Sequence, residues 1–386
     1  MWFVLLKTSS PLAATVIPLI PMIVTSLLSV PLATLADQLP RKGTLIGADA
    51  FRGVITAAAA LLMWTHNETV WEIYVTNLLL QFGDQLFSPA ISGVLPKLFE
   101  NADEDLALAN SMMAMTGQGT RVAAFAAGGV VVAALGTKIG LLVDSVSFWL
   151  SGLSFLLITI PPNVRTVGKG TSRFLGEITQ GFRFILNRRH FRSLIVFASA
   201  ANFVASPMAI FTVVYARQVL HGSSSLYGLL EVALLSGGIL GSFAAGKYSS
   251  KLRLFQWVVV ALVGSGCAVA GLGLVVDRLF AIGFLVVFSG VLALLNIPFI
   301  TSLELLASDD IRGRVVQSTF LLIGGVTTPI GLVVGGWIMT TFGVRTVLVA
   351  MGALLICFAG IGTQVRAFKE DAALSMGFNK RSKNVQ

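Results

Sequence analysis

The chain has 386 residues, 55% of them hydrophobic and 12% charged, with a net charge of +9. Soluble domains carry about 25% charged residues, and a mean hydropathy of +0.85 is too apolar for a fold that must cover its core with polar surface, so a soluble protein is excluded. The two cysteines, Cys267 and Cys357, lie inside apolar runs and read as small packing residues, so neither a disulfide framework nor a metal site is indicated.

A helix that crosses a bilayer needs about 20 mostly apolar residues. Eleven such runs follow one another, near residues 11–35, 44–64, 70–95, 108–135, 139–160, 193–216, 225–246, 254–276, 279–306, 315–341 and 346–364. Ahead of them only "MWFVLL" precedes Lys7. Between the fifth and sixth runs, Pro161 to Arg192 is polar and basic, and its "FLGEITQGFRFIL" alternates like an amphipathic helix lying on a membrane surface. The expected organisation is a membrane half over 1–160, a cytoplasmic basic linker over 161–192, a second membrane half over 193–364 and a basic tail over 365–386.

Threading the runs back and forth collects 20 of the 27 Lys and Arg residues on one side, among them Arg41, Lys42 and all of the linker's and the tail's. The positive-inside rule makes that side cytoplasmic. The C-terminus is therefore expected in the cytosol of a cell (inner or plasma) membrane protein, and the excess charge is a topology signal rather than a nucleic-acid footprint.

An internal repeat is visible. "GGVVVAALG", with Gly128, Gly129 and Gly136, matches "GGWIMTTFG", with Gly335, Gly336 and Gly343, 207 residues on. "FSPAISGVLPKL", with Pro89, matches "LNIPFITSLELL", with Pro298, at a separation of 209. Two related halves are the pattern of a transporter built from repeats. The small-residue spacing of Gly237, Gly238 and Gly241, and of Gly331, Gly335 and Gly336, points to close helix packing, with a moving hinge as the alternative, and Gly128 and Gly129 are expected among the packing glycines.

A charge at the centre of a span costs roughly 2.5–3.5 kcal/mol on insertion scales. Asp84 and Arg121 fall at similar depth on consecutive runs and are expected to pair, either as a coupling or cargo site or as a structural ion pair. Glu231 lies about two turns into its run with no partner nearby in sequence, and reads either as a proton-exchanging or cation-binding carboxylate or as a polar residue that faces water or hydrogen-bonds to a neighbouring helix. Asp144, near one end of its run, reads as structural. Asp49 and Arg52, spaced i, i+3, share a helix face and, with Asp37, Arg41 and Lys42, can form an ion network that works as a gate latch; the alternative, a solvated loop obeying the positive-inside rule, accounts for Arg41 and Lys42 but not for Asp37 and Asp49. The histidines His66, His190 and His221 form no ligand set, and no nucleotide-binding glycine loop of the Gly-x-x-x-x-Gly-Lys-Ser/Thr kind is present. No nucleophile, base and orienting group fall together, so an enzyme is disfavoured.

The stretch "LATLADQLPRKG" resembles the loop between the second and third helices of the major facilitator superfamily, a Gly-x-Leu-Ala-Asp-Arg-x-Gly-Arg-Arg pattern matched here at Leu35, Ala36, Asp37, Arg41 and Lys42, with Ala33 and Gln38 as departures. "LVDSVSF" at 142–148 and "SDDIRGRVVQ" at 308–317 resemble its branch of bacterial drug, macrolide and siderophore exporters. In the second half "GKYSSKLR" keeps Gly246 but has Ser250 in place of the Asp. The family's antiporters carry a Gly-Pro before a Gly-Gly, and Ala124 and Phe125 in its place speak against antiport. The resemblance implies an all-α membrane protein with the major facilitator fold of two six-helix halves, here with eleven full transmembrane helices and the first largely missing. That leaves either a start upstream of Met1 or a truncated protein.

The expected function is secondary active export of a small amphipathic compound, drug-like or macrolide-like, by alternating access and proton antiport. An uptake permease or facilitator for a small metabolite, and a transport-inactive fragment, are the alternatives. The expected partners are a small-molecule substrate, protons and the lipid bilayer, with no cofactor and no nucleic acid, and the chain is expected to be a monomer.

Overall fold

Backbone amides and carbonyls cannot be left unpaired in hydrocarbon, so a chain this apolar has to be helical where it crosses. A computed structural model describes residues 1–65, 69–98, 103–158, 179–180, 182–187, 189–248, 254–306 and 312–364, and no strand occurs among them. The first unit contains α1 (Trp2–Thr8), α2 (Pro11–Gln38), α3 (Arg41–Thr65), α4 (Val70–Leu98) and α5 (Asp103–Leu157). In the second are α6 (Arg189–Ala205), α7 (Met208–Val214) with a π-helical extension Tyr215–Val219, and α8 (Ser224–Tyr248). After these come α9 (Leu254–Leu274), α10 (Arg278–Leu306), α11 (Arg312–Phe320), a π-helical stretch Leu321–Thr327, α12 (Thr328–Phe342) and α13 (Val344–Gln364). The units are Met1–Phe174 with Ser223–Gly228, and Leu175–Gly222 with Leu229–Gln386.

Nine helices among the described residues are long and apolar enough to cross a membrane. One of them, Met115–Leu157, is two crossings, because Gly136 (φ 83°, ψ 168°) breaks α5 into limbs over 103–135 and 137–157. With 29 residues α4 has the length, though Asn77, Gln81, Asp84 and Gln85 leave it more polar than the nine. Apolar side chains cover the outside, as lipid requires; Leu157 is 89% exposed. At seven residues α1 rises only about 10 Å, too little to cross. Cys267 and Cys357 are exposed, on α9 and α13, not the buried packing residues expected. A small apolar side chain is as acceptable to lipid as to a core.

The repeat reappears in the geometry. Gly136 and Gly343 (φ 78°, ψ 152°) both hold the left-handed backbone that only glycine adopts without strain, each ending one helix and starting the next. Likewise α4 and α10 both have 29 residues. Of the linker, residues 182–187 are helical. Ile185 is buried in a second-unit cluster with Phe197, Leu303 and Leu355, while Leu186 remains exposed, so this short stretch docks on the helices through one side. Thr179 and Gln180 are helical and exposed, while residues 174–178 and 181 of the expected surface helix and the tail lie outside the described residues.

Helix α2 contains Pro18, Pro21 and Pro31, each of which removes an amide from the helix ladder. Pro21 leaves the Ile17 carbonyl without its helical donor, and Asn77 Nδ2 donates to that oxygen at 2.8 Å. Tyr74 Oη donates to the Ala13 carbonyl at 2.7 Å and Gln85 Nε2 to Thr25 Oγ1 at 2.8 Å, so a polar ladder fastens α4 to α2. Asn77→Leu keeps the volume but strands the Ile17 carbonyl, and is expected to cost about 1 kcal/mol. An unchanged melting midpoint in detergent would contradict this account.

Candidate functional site

The buried positions of α3 are Thr44, Leu45, Ala48, Asp49, Arg52, Gly53, Thr56, Ala59, Ala60 and Met63, a stripe at helical spacing that includes the charged Asp49 and Arg52. A charge on such a stripe must be paired. Arg52 Nη2 donates to Asp49 Oδ1 one turn back, and Arg52 Nη1 donates to Asp84 Oδ1 on α4 at 2.5 Å. The other oxygen of Asp49, Oδ2, accepts from Ser151 Oγ at 2.6 Å, on the second limb of α5. The guanidinium lies between the rings of Phe87 and Phe148, 4.4 and 4.7 Å from their centroids, and its Nε is buried without a partner.

Glycines make these approaches possible. A Cβ at Gly83 would lie 2.6 Å from Arg52 Cγ, so only glycine lets the arginine stem pass α4. At Gly53 a Cβ would strike the Trp149 ring, and the Gly53 carbonyl accepts from Ser145 Oγ at 2.8 Å. A groove of about 420 Å³ runs beside this point, lined by Gly43, Gly47, Phe51, Phe82, Gly83 and Leu86 among others.

Asp84 therefore pairs with Arg52 and not with Arg121. The sequence puts Asp84 and Arg121 at one depth on consecutive helices, but α4 packs chiefly on α2 and α3, and Arg121 is exposed on the first limb of α5. Asp49 and Arg52 belong to this buried cluster. Of the remaining latch residues, Lys42 Nζ donates to the carbonyls of Leu156 and Ile158, both at 3.0 Å, closing the end of α5. Arg41 is half-buried at the start of α3, and the side chain of Asp37 lies outside the described ones. Ser151, Phe87, Phe148 and Gly83 were missed by sequence reasoning, because a serine, two phenylalanines and a glycine in apolar runs carry no signal of their own. Asp144 is exposed on the second limb of α5, within electrostatic reach of Arg52 and Asp84.

In the second unit Glu231, on α8, accepts a short hydrogen bond at Oε1 from Thr212 Oγ1, on α7. Thr212 is fully buried, and among the described residues no cation pairs with Glu231. Just beyond it α7 loosens into the π-helical turn, where Tyr215 Oη donates to the Val275 carbonyl at 2.7 Å. Such turns often mark functional positions.

The packing glycines divide. Gly335 and Gly331 lie against Pro207 and Ser206 at the break between α6 and α7, and Gly336 is buried beside them. Gly237 and Gly241 lie against α10, while Gly238 faces open space. Contrary to expectation, a Cβ at Gly128 would meet open space among the described residues, whereas Gly129 meets the backbone of Ser224, which clusters with the same unit.

Repeated apolar helices with ionisable groups held inside them define a multi-pass membrane protein. The solved structure of the nucleoside transporter NupG is similar to this chain at a TM-score of 0.74 and 11% identity, covering 92% of this chain and 90% of its own, a likeness of fold. The model of the MFS_3 family, transmembrane secretion effector, matches residues 1–384, and the chain belongs to that family of major facilitator transporters. The macrolide efflux protein A of Streptococcus pyogenes is 18% identical, covering 92% of this chain and 87% of its own. The multidrug efflux pump Tap of Mycobacterium tuberculosis is 22% identical, with 96% and 88% covered.

Proposed function

We propose that this transporter moves a small amphipathic compound out of the cell by alternating access, in exchange for protons, with its C-terminus in the cytosol. The observation that carries the coupling is Glu231: an acid inside a span whose described partner is a neutral hydroxyl gains and loses a proton without breaking an ion pair. The export direction is supported by the names of the two efflux relatives, and the orientation by the charge bias of the loops.

The test uses everted membrane vesicles from cells lacking other pumps, with an imposed proton gradient and a panel of macrolides and cationic dyes. Accumulation of at least one compound, abolished by collapsing the gradient, is expected. Glu231→Gln should lower that accumulation at least tenfold while retaining exchange of labelled for unlabelled compound. Accumulation by Glu231→Gln with an unchanged pH profile would remove this residue from coupling, and movement of every compound in the opposite sense would make the protein an importer.

A further inference from the structure

The repeat lets corresponding positions of the two halves be compared, and at one of them the halves differ. In the second, Arg345 at the start of α13 donates from Nε to the Gly273 carbonyl at 3.0 Å and from Nη2 to the Leu274 carbonyl at 3.2 Å. It thereby closes the end of α9, whose last carbonyls have no amide partners within the helix. The repeat step of 207 residues leads back from Arg345 to Lys138, at the start of the second limb of α5. The end of α9 corresponds to Trp64 and Thr65, at the end of α3. Here the first unit has a cleft of about 360 Å³, lined by Trp64 and Lys138 among others and within the ~300–1,000 Å³ common for small-ligand sites.

Two kinds of group line this cleft. Lys7, from α1, and Lys138 are its charged residues, and no acidic side chain lines it among the described residues. Phe3, Leu6, Trp64, Leu135 and Ile139 make the remainder apolar, and all of them but Phe3 are exposed, so the apolar wall continues into the surface that meets lipid. Tryptophan is enriched where the bilayer meets water, which suits Trp64 at a helix end. The threading leaves five Lys and Arg in loops on the sparsely charged side: Lys7, Lys138, Arg217, Arg278 and Arg345. Two of these five share the cleft, although the positive-inside rule keeps cations scarce on that side.

Two ammonium groups beside an apolar wall match a ligand with an anionic oxygen group and a hydrocarbon part. A free inorganic anion would leave Trp64 and Leu135 unused, and a purely apolar compound would leave both lysines unused. A zwitterionic headgroup brings an ammonium of its own, which the lysines repel.

We infer that the first unit carries a headgroup site for an anionic phospholipid, in which Lys7 and Lys138 hold the phosphate while Trp64 and Leu135 lie along the glycerol and the upper acyl chains. On the proposed orientation this lipid belongs to the outer leaflet. Its binding depends neither on that orientation nor on the direction of transport.

The purified full chain in detergent is titrated with phosphatidylglycerol, with phosphatidylcholine of the same acyl chains and with inorganic phosphate, while bound lipid is read by native mass spectrometry alongside the melting midpoint. Phosphatidylglycerol is expected to bind about tenfold more tightly than phosphatidylcholine and to raise the midpoint, and inorganic phosphate at the same concentration to leave it unmoved. Lys7→Gln and Lys138→Gln should each weaken phosphatidylglycerol about fivefold, the worth of one cation beside anionic lipid, and Lys138→Arg should retain it. Arg278→Gln removes a cation of the same side from outside the cleft and should bind normally. If Lys138→Gln melts early without lipid, Lys7→Gln carries the test, since Lys7 is exposed. The proposal is overturned if phosphatidylcholine binds as tightly, if binding survives both glutamine substitutions, or if Arg278→Gln weakens it equally. An equal response to inorganic phosphate also overturns it and makes the cleft a free-anion site. Failure of proton-driven export in vesicles would sink the transport reading and leave the lipid site standing.

Discussion

Arg52→Met is expected to be the most damaging single substitution in the first unit, costing about 3–5 kcal/mol, the range for removing one partner of a buried ion pair. Asp84 can turn away from the cluster when its partner goes, since it is half-exposed. Asp49 cannot, since its side chain is 1% exposed and would retain only the Ser151 hydroxyl. Methionine keeps a stem beside Gly83 and loses the guanidinium between Phe87 and Phe148, so the charge goes while the space along α4 stays filled. The double variant Asp49→Leu, Arg52→Met removes the stranded charge along with its cause and should recover most of the melting midpoint. Arg52→Lys should fall between, because an ammonium cannot reach two carboxylates with a planar fork while lying flat between two rings. The idea is sunk by a single Arg52→Met variant that melts with the unsubstituted protein, or by a double variant no better than the single.

Gly241→Val should disrupt the second unit by about 3 kcal/mol, the upper end of the usual cost of overpacking. A Cβ at Gly241 would fall on the backbone of Gly290 in α10, and one at Gly237 on the backbone of Val286 and the hydroxyl of Ser289. Backbone cannot swing aside as a long side chain can, so the two helices must separate, and van der Waals contact between helices is lost where lipid offers no hydrophobic gain in return. Gly238, one residue along the same helix from Gly237, faces open space, so Gly238→Val is the matched control and should melt normally. Equal melting midpoints for the two valine variants would show that the close crossing of α8 and α10 contributes nothing.

Local relations were readable in advance. The eleven apolar runs correspond to eleven helical crossings among the described residues, because an apolar run long enough to cross a bilayer has no structural alternative to the helix. Gly136 and Gly343 were flagged by their repeat, and the shared backbone conformation explains why the third glycine recurs. Asp49 and Arg52 were correctly placed on one face, since the i, i+3 relation is a property of a single helix. The pairing of Asp84 was misassigned to Arg121 because depth along a helix can be counted from sequence, whereas the direction in which a side chain leaves it relative to its neighbours cannot.

The sequence by itself determined that this chain is a helical membrane protein with a two-part repeat, a strong loop-charge bias and a few ionisable groups inside its spans. All of that follows from hydropathy, length and periodicity, which act within one segment. Only the tertiary structure decided that Arg52 is shared between Asp49 and Asp84, that Ser151 completes Asp49, that Thr212 holds Glu231, and that Asn77 satisfies the carbonyl opened by Pro21. Each of these joins residues on different helices. Which helix faces meet is set by where glycines allow close approach, and that is settled only when all the helices are packed at once.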